Sequence, residues 1–177
     1  MANLKIGDRV IPFTLPGVDD KNHSLSDYVD AQALAVIFSC NHCPYVRAWE
    51  DRMVQIQADY ADRGVQFLVI NSNDVNRYPD DSFPKMKVRA EEKNFNFPYL
   101  FDESQEIPRL YGAERTPEVF LFDSSGVLQY HGAIDDHYDN PSEVKVLYLR
   151  DALDAVLAGE TPLVQETTPV GCTIKWK

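Results

Sequence analysis

The sequence has few cysteines, few cations and no long apolar run, and each shortage narrows what it can do. Cysteine occurs only three times among 177 residues, too few and odd in number for a disulfide scaffold. Lysine and arginine total 17 against 28 aspartates and glutamates, a formal net charge of -11, which argues against unaided binding to nucleic acid or an anionic membrane. The acids are spread along the chain and make a self-repelling surface rather than an acidic tail. No stretch approaches the ~20 apolar residues of a transmembrane helix, and the opening Met1-Ala2-Asn3-Leu4-Lys5-Ile6-Gly7-Asp8 has no apolar leader region. A cytoplasmic protein with no membrane contact is expected. Repeats, low-complexity tracts and linkers are also missing, so the length reads as one domain, 1–177, with an extended tail from about residue 160.

What is present centres on Ser39-Cys40-Asn41-His42-Cys43-Pro44. Before it, Ala33-Leu34-Ala35-Val36-Ile37-Phe38 has the length and composition of a strand buried on both faces. After it, Val46, Trp49, Met53, Ile56 and Tyr60 recur at helical spacing and predict a core-facing helix stopping near Gly64. Two cysteines, two residues apart, therefore stand where a buried strand turns into a helix. Unpartnered N–H groups and the helix dipole favour thiolate there, and Pro44 fits a first turn because its missing N–H would have had no helical acceptor. In a reducing compartment such a pair points to redox or metal chemistry rather than a staple.

The flanking chain predicts an α/β order. Val10-Ile11-Pro12-Phe13-Thr14-Leu15 reads as an edge strand, Asp19-Asp20-Lys21-Asn22 as a turn and Ser24-Leu25-Ser26-Asp27-Tyr28 as a helical turn. Val65-Gln66-Phe67-Leu68-Val69-Ile70 is a second buried strand, completing a right-handed βαβ unit. Next come a helix from about Ser82 to Asn94, a short strand Phe97-Pro98-Tyr99-Leu100-Phe101 and a helix from Ser104 to Gly112. Glu118-Val119-Phe120-Leu121-Phe122 and Val127-Leu128-Gln129-Tyr130-His131-Gly132 form a hairpin around Asp123-Ser124-Ser125-Gly126. A last helix after Asn140-Pro141-Ser142 aligns Val146, Leu149, Leu153 and Val156. The Asp135-Asp136-His137-Tyr138-Asp139 segment reads as a solvated acidic loop, and Cys172, in a tail after Pro169-Val170-Gly171, as a packing residue, with a resolving role as the alternative.

The C-x-x-C at a helix start, with Thr116-Pro117 opening a hairpin downstream, resembles the thioredoxin fold. Gly7-Asp8-Arg9-Val10-Ile11-Pro12-Phe13, Ser24-Leu25-Ser26-Asp27-Tyr28 and Phe97-Pro98-Tyr99-Leu100-Phe101-Asp102 resemble its redoxin branch, which holds the thiol-specific antioxidant proteins and the TlpA/ResA-like oxidoreductases. That resemblance implies a central mixed sheet flanked by helices, an N-terminal strand extension, and an insertion between the second core strand and the cis-proline hairpin. It also implies a thiol-disulfide oxidoreductase that needs no cofactor or metal, with a disulfide-containing protein or small molecule as substrate and an external thiol as reductant.

By the same resemblance Cys40 is the nucleophile and Cys43 the resolving thiol, with Cys40 more exposed and of lower pKa. His42 would stabilise the Cys40 thiolate and make the site more oxidising than the roughly −270 mV of thioredoxin. Pro117 resembles the cis-proline facing the dithiol, and Thr116 would offer backbone groups to an extended substrate. The buried acid of thioredoxin is missing from the preceding strand, so Glu118 becomes the candidate proton acceptor for Cys43. Two other functions were weighed. A peroxiredoxin-like peroxidase would place Pro and Thr where this chain has Ala33 and Ile37, removing the hydroxyl that holds peroxide. A Sco-like copper or zinc module would use Cys40, Cys43 and His131 or His137, but with its cysteines one residue wider apart.

Overall fold

The molecule is described from a computed structural model, which covers residues 3–177. Five strands form the central sheet in the order β5-β4-β3-β7-β8. They are β3 (Ala33–Ser39), β4 (Val65–Asn71), β5 (Tyr99–Phe101), β7 (Glu118–Asp123) and β8 (Leu128–Gly132). β3 runs parallel to β4 and β4 to β5, whereas β7 is antiparallel to both of its neighbours, β3 and β8. The sheet is therefore mixed, with β3 at its centre. Every residue of β3 is buried, which is why its sequence is continuously apolar rather than alternating.

Side chains of β3 alternate between two apolar clusters. Ala33, Ala35 and Ile37 join Trp49, Met53, Ile56 and Tyr60 of α1 (Pro44–Tyr60), Met86 of α2 (Phe83–Glu92) and Leu149 and Leu153 of α4 (Tyr148–Leu157). Leu34, Val36 and Phe38 join Phe13, Leu15, Ile107, Tyr111 and Ile174 on the other face, which α3 (Glu106–Tyr111) covers. Both helix stops use left-handed glycine: Gly64 has φ 83° after one 3-10 turn, and Gly112 has φ 81° after α3.

Three local readings shift. The N-terminal strand is β1 (Thr14–Pro16), paired with β2 (Asn22–Ser24), rather than the stretch from Val10. Pro12 has no N–H to give a ladder, and the chain before it is tied to the hairpin instead, through Val10 N to Gly126 O at 2.8 Å. The last helix starts at Tyr148 because Pro141–Glu143 makes only a 3-10 turn. Asp135 is not solvated: at 3% exposure it accepts from Trp49 Nε1 at 3.0 Å and pairs with Arg52 at 2.7 Å. The tail is irregular, as its prolines suggest, until Cys172–Thr173 forms a two-residue strand, β9, against β6 (Arg115–Thr116).

Candidate active site

β3 delivers the Cys40–Cys43 turn at its C-terminal end, and Cys43 is the N-cap of α1 with Pro44 at the first helical position. Across from the turn lies the Thr116–Pro117 peptide, which is cis. The two sides touch: Cys40 Sγ lies 3.7 Å from Thr116 Oγ1, and in its protonated form the Cys43 thiol donates to Thr116 O at 3.5 Å. Cys40, Cys43, Thr116 and Pro117 are thus brought together, although far apart in sequence. Cys40, Cys43 and Val46 form a small cluster of their own, separate from the two main cores.

The cysteines are more enclosed than expected. Cys40 is 1% exposed and Cys43 0%, whereas the sequence led us to expect an accessible Cys40. Beside them lies the tail, which pairs Cys172 with Thr116 and packs it against the cluster of Cys40, Cys43 and Val46. Their ionisation also differs from the expectation. The two thiols titrate as a pair, and the proton stays on Cys40. Its thiol is held well above the ordinary range because it donates to the Cys43 sulfur, because it is buried, and because the Asp81 carboxylate is near. Cys43 is lowered to about 4, first by the hydrogen bond from Cys40 and, against the opposing effect of burial, by contacts with the Cys172 thiol and the Val46 amide. An N-cap sulfur in contact with two thiols and an amide is the better place for a negative charge.

His42 is half-buried and turns its Nδ1 to Asp81 Oδ2 at 2.5 Å, with the alignment of an ion contact rather than a linear hydrogen bond. Its ring stacks on Tyr78 with centroids 5.7 Å apart. Cys40 Sγ, a His42 ring nitrogen and an Asp81 oxygen all lie within 4.8 Å of one another, so the imidazole reaches the sulfur together with a carboxylate that opposes it. Asp81 is 0% exposed and anchors the cysteine turn. Its side chain accepts from Asn41 N at 2.8 Å and Asn73 Nδ2 at 2.9 Å, while Tyr99 OH donates to Asn41 Oδ1 at 2.7 Å. Sequence reasoning missed Asp81, Asn41 and Tyr99. The one signal that could have hinted at a buried polar network is the run of four polar residues, Asn71-Ser72-Asn73-Asp74, straight after a buried strand.

Glu118, the expected proton acceptor, is 2% exposed and spends its oxygens elsewhere. Oε1 accepts from the Glu114 and Arg115 amides, each at 3.0 Å, and Oε2 meets His131 Nε2 at 2.7 Å. Among the described residues it forms no hydrogen bond to either sulfur. The histidines of the metal reading are likewise engaged, His131 by Glu118 and His137 by Asp139 at 3.0 Å and Glu143 at 2.9 Å.

The sheet order, with a two-cysteine turn opening the first helix opposite a cis Thr-Pro, places the chain in the thioredoxin-like class. Residues 6–131 match the model of the AhpC/TSA family, and the chain belongs to that family. It is similar over 98% of its length to the crystal structure of an uncharacterised conserved protein from Geobacillus kaustophilus, at 39% identity and TM-score 0.93, covering 93% of that chain. A Chlorobium tepidum structure assigned provisionally as a thiol:disulfide interchange protein, DsbE, is 25% identical with TM-score 0.65, over 89% of this chain and 98% of that one. A Mycobacterium tuberculosis protein assigned provisionally as a peroxiredoxin is 24% identical over 135 residues, 76% of this chain and 81% of it.

Proposed function

We propose that the protein is a thiol-disulfide oxidoreductase in which Cys40 and Cys43 exchange with the disulfide of a protein or small molecule. The observation that carries this reading is the pair itself, two cysteines at the start of α1 and both in contact with Thr116. Attack begins when the Cys40 proton passes to Cys43, leaving the Cys40 thiolate to displace one half of the substrate disulfide as a thiol. Cys43 then attacks Cys40 Sγ, releases the second half and leaves a Cys40–Cys43 disulfide. Two thiols are oxidised and one substrate disulfide is reduced, so the electrons balance. An external thiol returns the pair to its reduced form.

In this scheme Thr116 and Pro117 orient the substrate, and His42 with Asp81 sets the charge beside Cys40. Glu118 holds the turn that presents Thr116, and the proton travels within the dithiol. The whole chain, 1–177, serves this one site, and we assign it to the cytoplasm, where three unbridged cysteines would persist. Among the described residues no helix is long and apolar enough to cross a membrane.

The AhpC/TSA match gives a peroxidase reading its own support. Against it, Ala33 and Ile37 are both 0% exposed apolar residues of β3 and offer no hydroxyl to a peroxide. Two assays separate the readings. A Cys43→Ser variant should retain substrate covalently on Cys40, and its failure to trap either a protein or a model disulfide would remove the proposal. Stopped-flow reaction of the reduced protein with hydrogen peroxide should proceed at the rate of a free thiol; a fast reaction would favour the peroxidase.

A further inference from the structure

The sequence favours packing over a resolving role for Cys172, yet the fold seats it in the site. β9 places Cys172 directly opposite Thr116, the residue whose carbonyl and hydroxyl meet Cys43 and Cys40. This is the backbone edge at which an extended substrate would pair, and here the chain's own tail fills it. The approach is close: a Cβ at Gly171 would fall 2.0 Å from Thr116 O, so only glycine lets the tail come so near.

Further contacts fix the tail on both sides of Cys172. Arg115 Nη1 donates to Gly171 O at 3.1 Å, and Ile174 N donates to Glu114 O at 2.9 Å. Lys175 N donates to Asn73 Oδ1 at 2.9 Å, beside the polar network that holds the cysteine turn. Cys172 packs on Cys40 and Cys43, and it is the one sulfur of the three that is not buried.

Resting on the thiol-exchange reading above, we propose that Cys172 is the third redox sulfur of this site, carrying the disulfide from the enclosed pair out to the external reductant. After substrate reduction, the Cys172 thiolate attacks Cys43 Sγ. The Cys40–Cys43 bond breaks, a Cys43–Cys172 bond forms, and Cys40 leaves as a thiolate that takes up the proton Cys172 gave up. No oxidant is consumed, because disulfide exchange conserves electrons. A reductant thiolate then attacks the partly buried Cys172 Sγ, the more accessible of the two bonded sulfurs, with Cys43 leaving, and a second reductant thiol resolves the resulting mixed disulfide.

The electrostatics favour the departure of Cys43 and the recruitment of Cys172. Cys43 is the sulfur on which negative charge is best held, and a stable thiolate leaves readily. In the reduced protein burial, and next the Cys43 sulfur, push the Cys172 thiol up to about 11. Once Cys43 is in a disulfide its charge is gone, while Arg115 and Lys175 still favour the Cys172 thiolate. One of the two effects that hold the Cys172 proton in place is therefore lifted in the state where this sulfur must act.

The test is a disulfide map of the full chain. Wild type and Cys40→Ser would each be equilibrated with reduced and oxidised glutathione, alkylated and digested. Cys40→Ser should give a peptide pair joined through Cys43 and Cys172 with a loss of two hydrogens. Free thiols at every ratio, or glutathione adducts alone, would overturn the proposal. If instead the wild type fails to form any Cys40–Cys43 disulfide, it is the exchange reading that falls. As a second measurement, oxidised Cys172→Ser should be re-reduced by glutathione about tenfold or more slowly than wild type, because the reductant must reach a buried sulfur; an equal rate would also overturn the proposal.

Discussion

Ile174→Ala tests whether the tail gates the dithiol. Ile174 is 3% exposed in the apolar cluster that contains Phe38, Ile107 and Tyr111. Truncating a buried isoleucine to alanine costs about 2–5 kcal/mol, and a tail segment able to settle into the gap points to about 3 kcal/mol. Because the tail can peel away while the sheet stays folded, this loss falls on local docking rather than on global stability. At 1.4 kcal/mol per tenfold, the undocked population rises by about two orders of magnitude. Iodoacetamide alkylation of Cys40 and Cys43 in the reduced protein should then speed up about a hundredfold. The melting temperature should move by much less than the ~6–12 °C that a global loss of the same size would produce. Unchanged alkylation, or acceleration matched by a full drop in melting temperature, would refute the reasoning.

Other outcomes follow from the same geometry. Gly171→Ala sets a Cβ against Thr116 O and should displace β9, so that alkylation mapping finds all three cysteines reactive while circular dichroism keeps the native sheet signal. Asp81→Asn removes the carboxylate that opposes charge on Cys40; Cys40 should ionise at lower pH and the couple become more oxidising, read by equilibration with glutathione, and an unchanged potential would discount Asp81. The Cys172 thiol, pushed up to about 11, is reactive only as thiolate, so in reduced protein its alkylation should keep climbing with pH through about 11. A plateau near the ordinary value of about 8.5 would contradict the packing of Cys172 against Cys43.

The central elements were legible because their signals are local. The run Ala33 to Phe38, the helical stripe from Val46 to Tyr60 and the run Val65 to Ile70 each announce a period, and they appear as β3, α1 and β4. Cys40 and Cys43 stood out for the same reason, two thiols at a strand-to-helix junction. The rest depends on contacts between distant segments. Nothing near Asp81 in the sequence marks it as a partner of Asn41 and His42. The enclosure of the cysteine cluster could not be foreseen from its own neighbourhood, because Thr116 and the tail residue Cys172, both distant in sequence, pack against it. The need for glycine at position 171 shows only when the Thr116 carbonyl is placed beside it.

The most direct measurement is redox equilibration of the purified chain against dithiothreitol buffers of known potential, with each cysteine followed by alkylation and mass spectrometry. The account predicts one reversible two-electron transition in which Cys40 and Cys43 lose their alkylatable thiols together. If both remain alkylatable across the whole range, the thiol pair does not exchange, and the proposed function is contradicted.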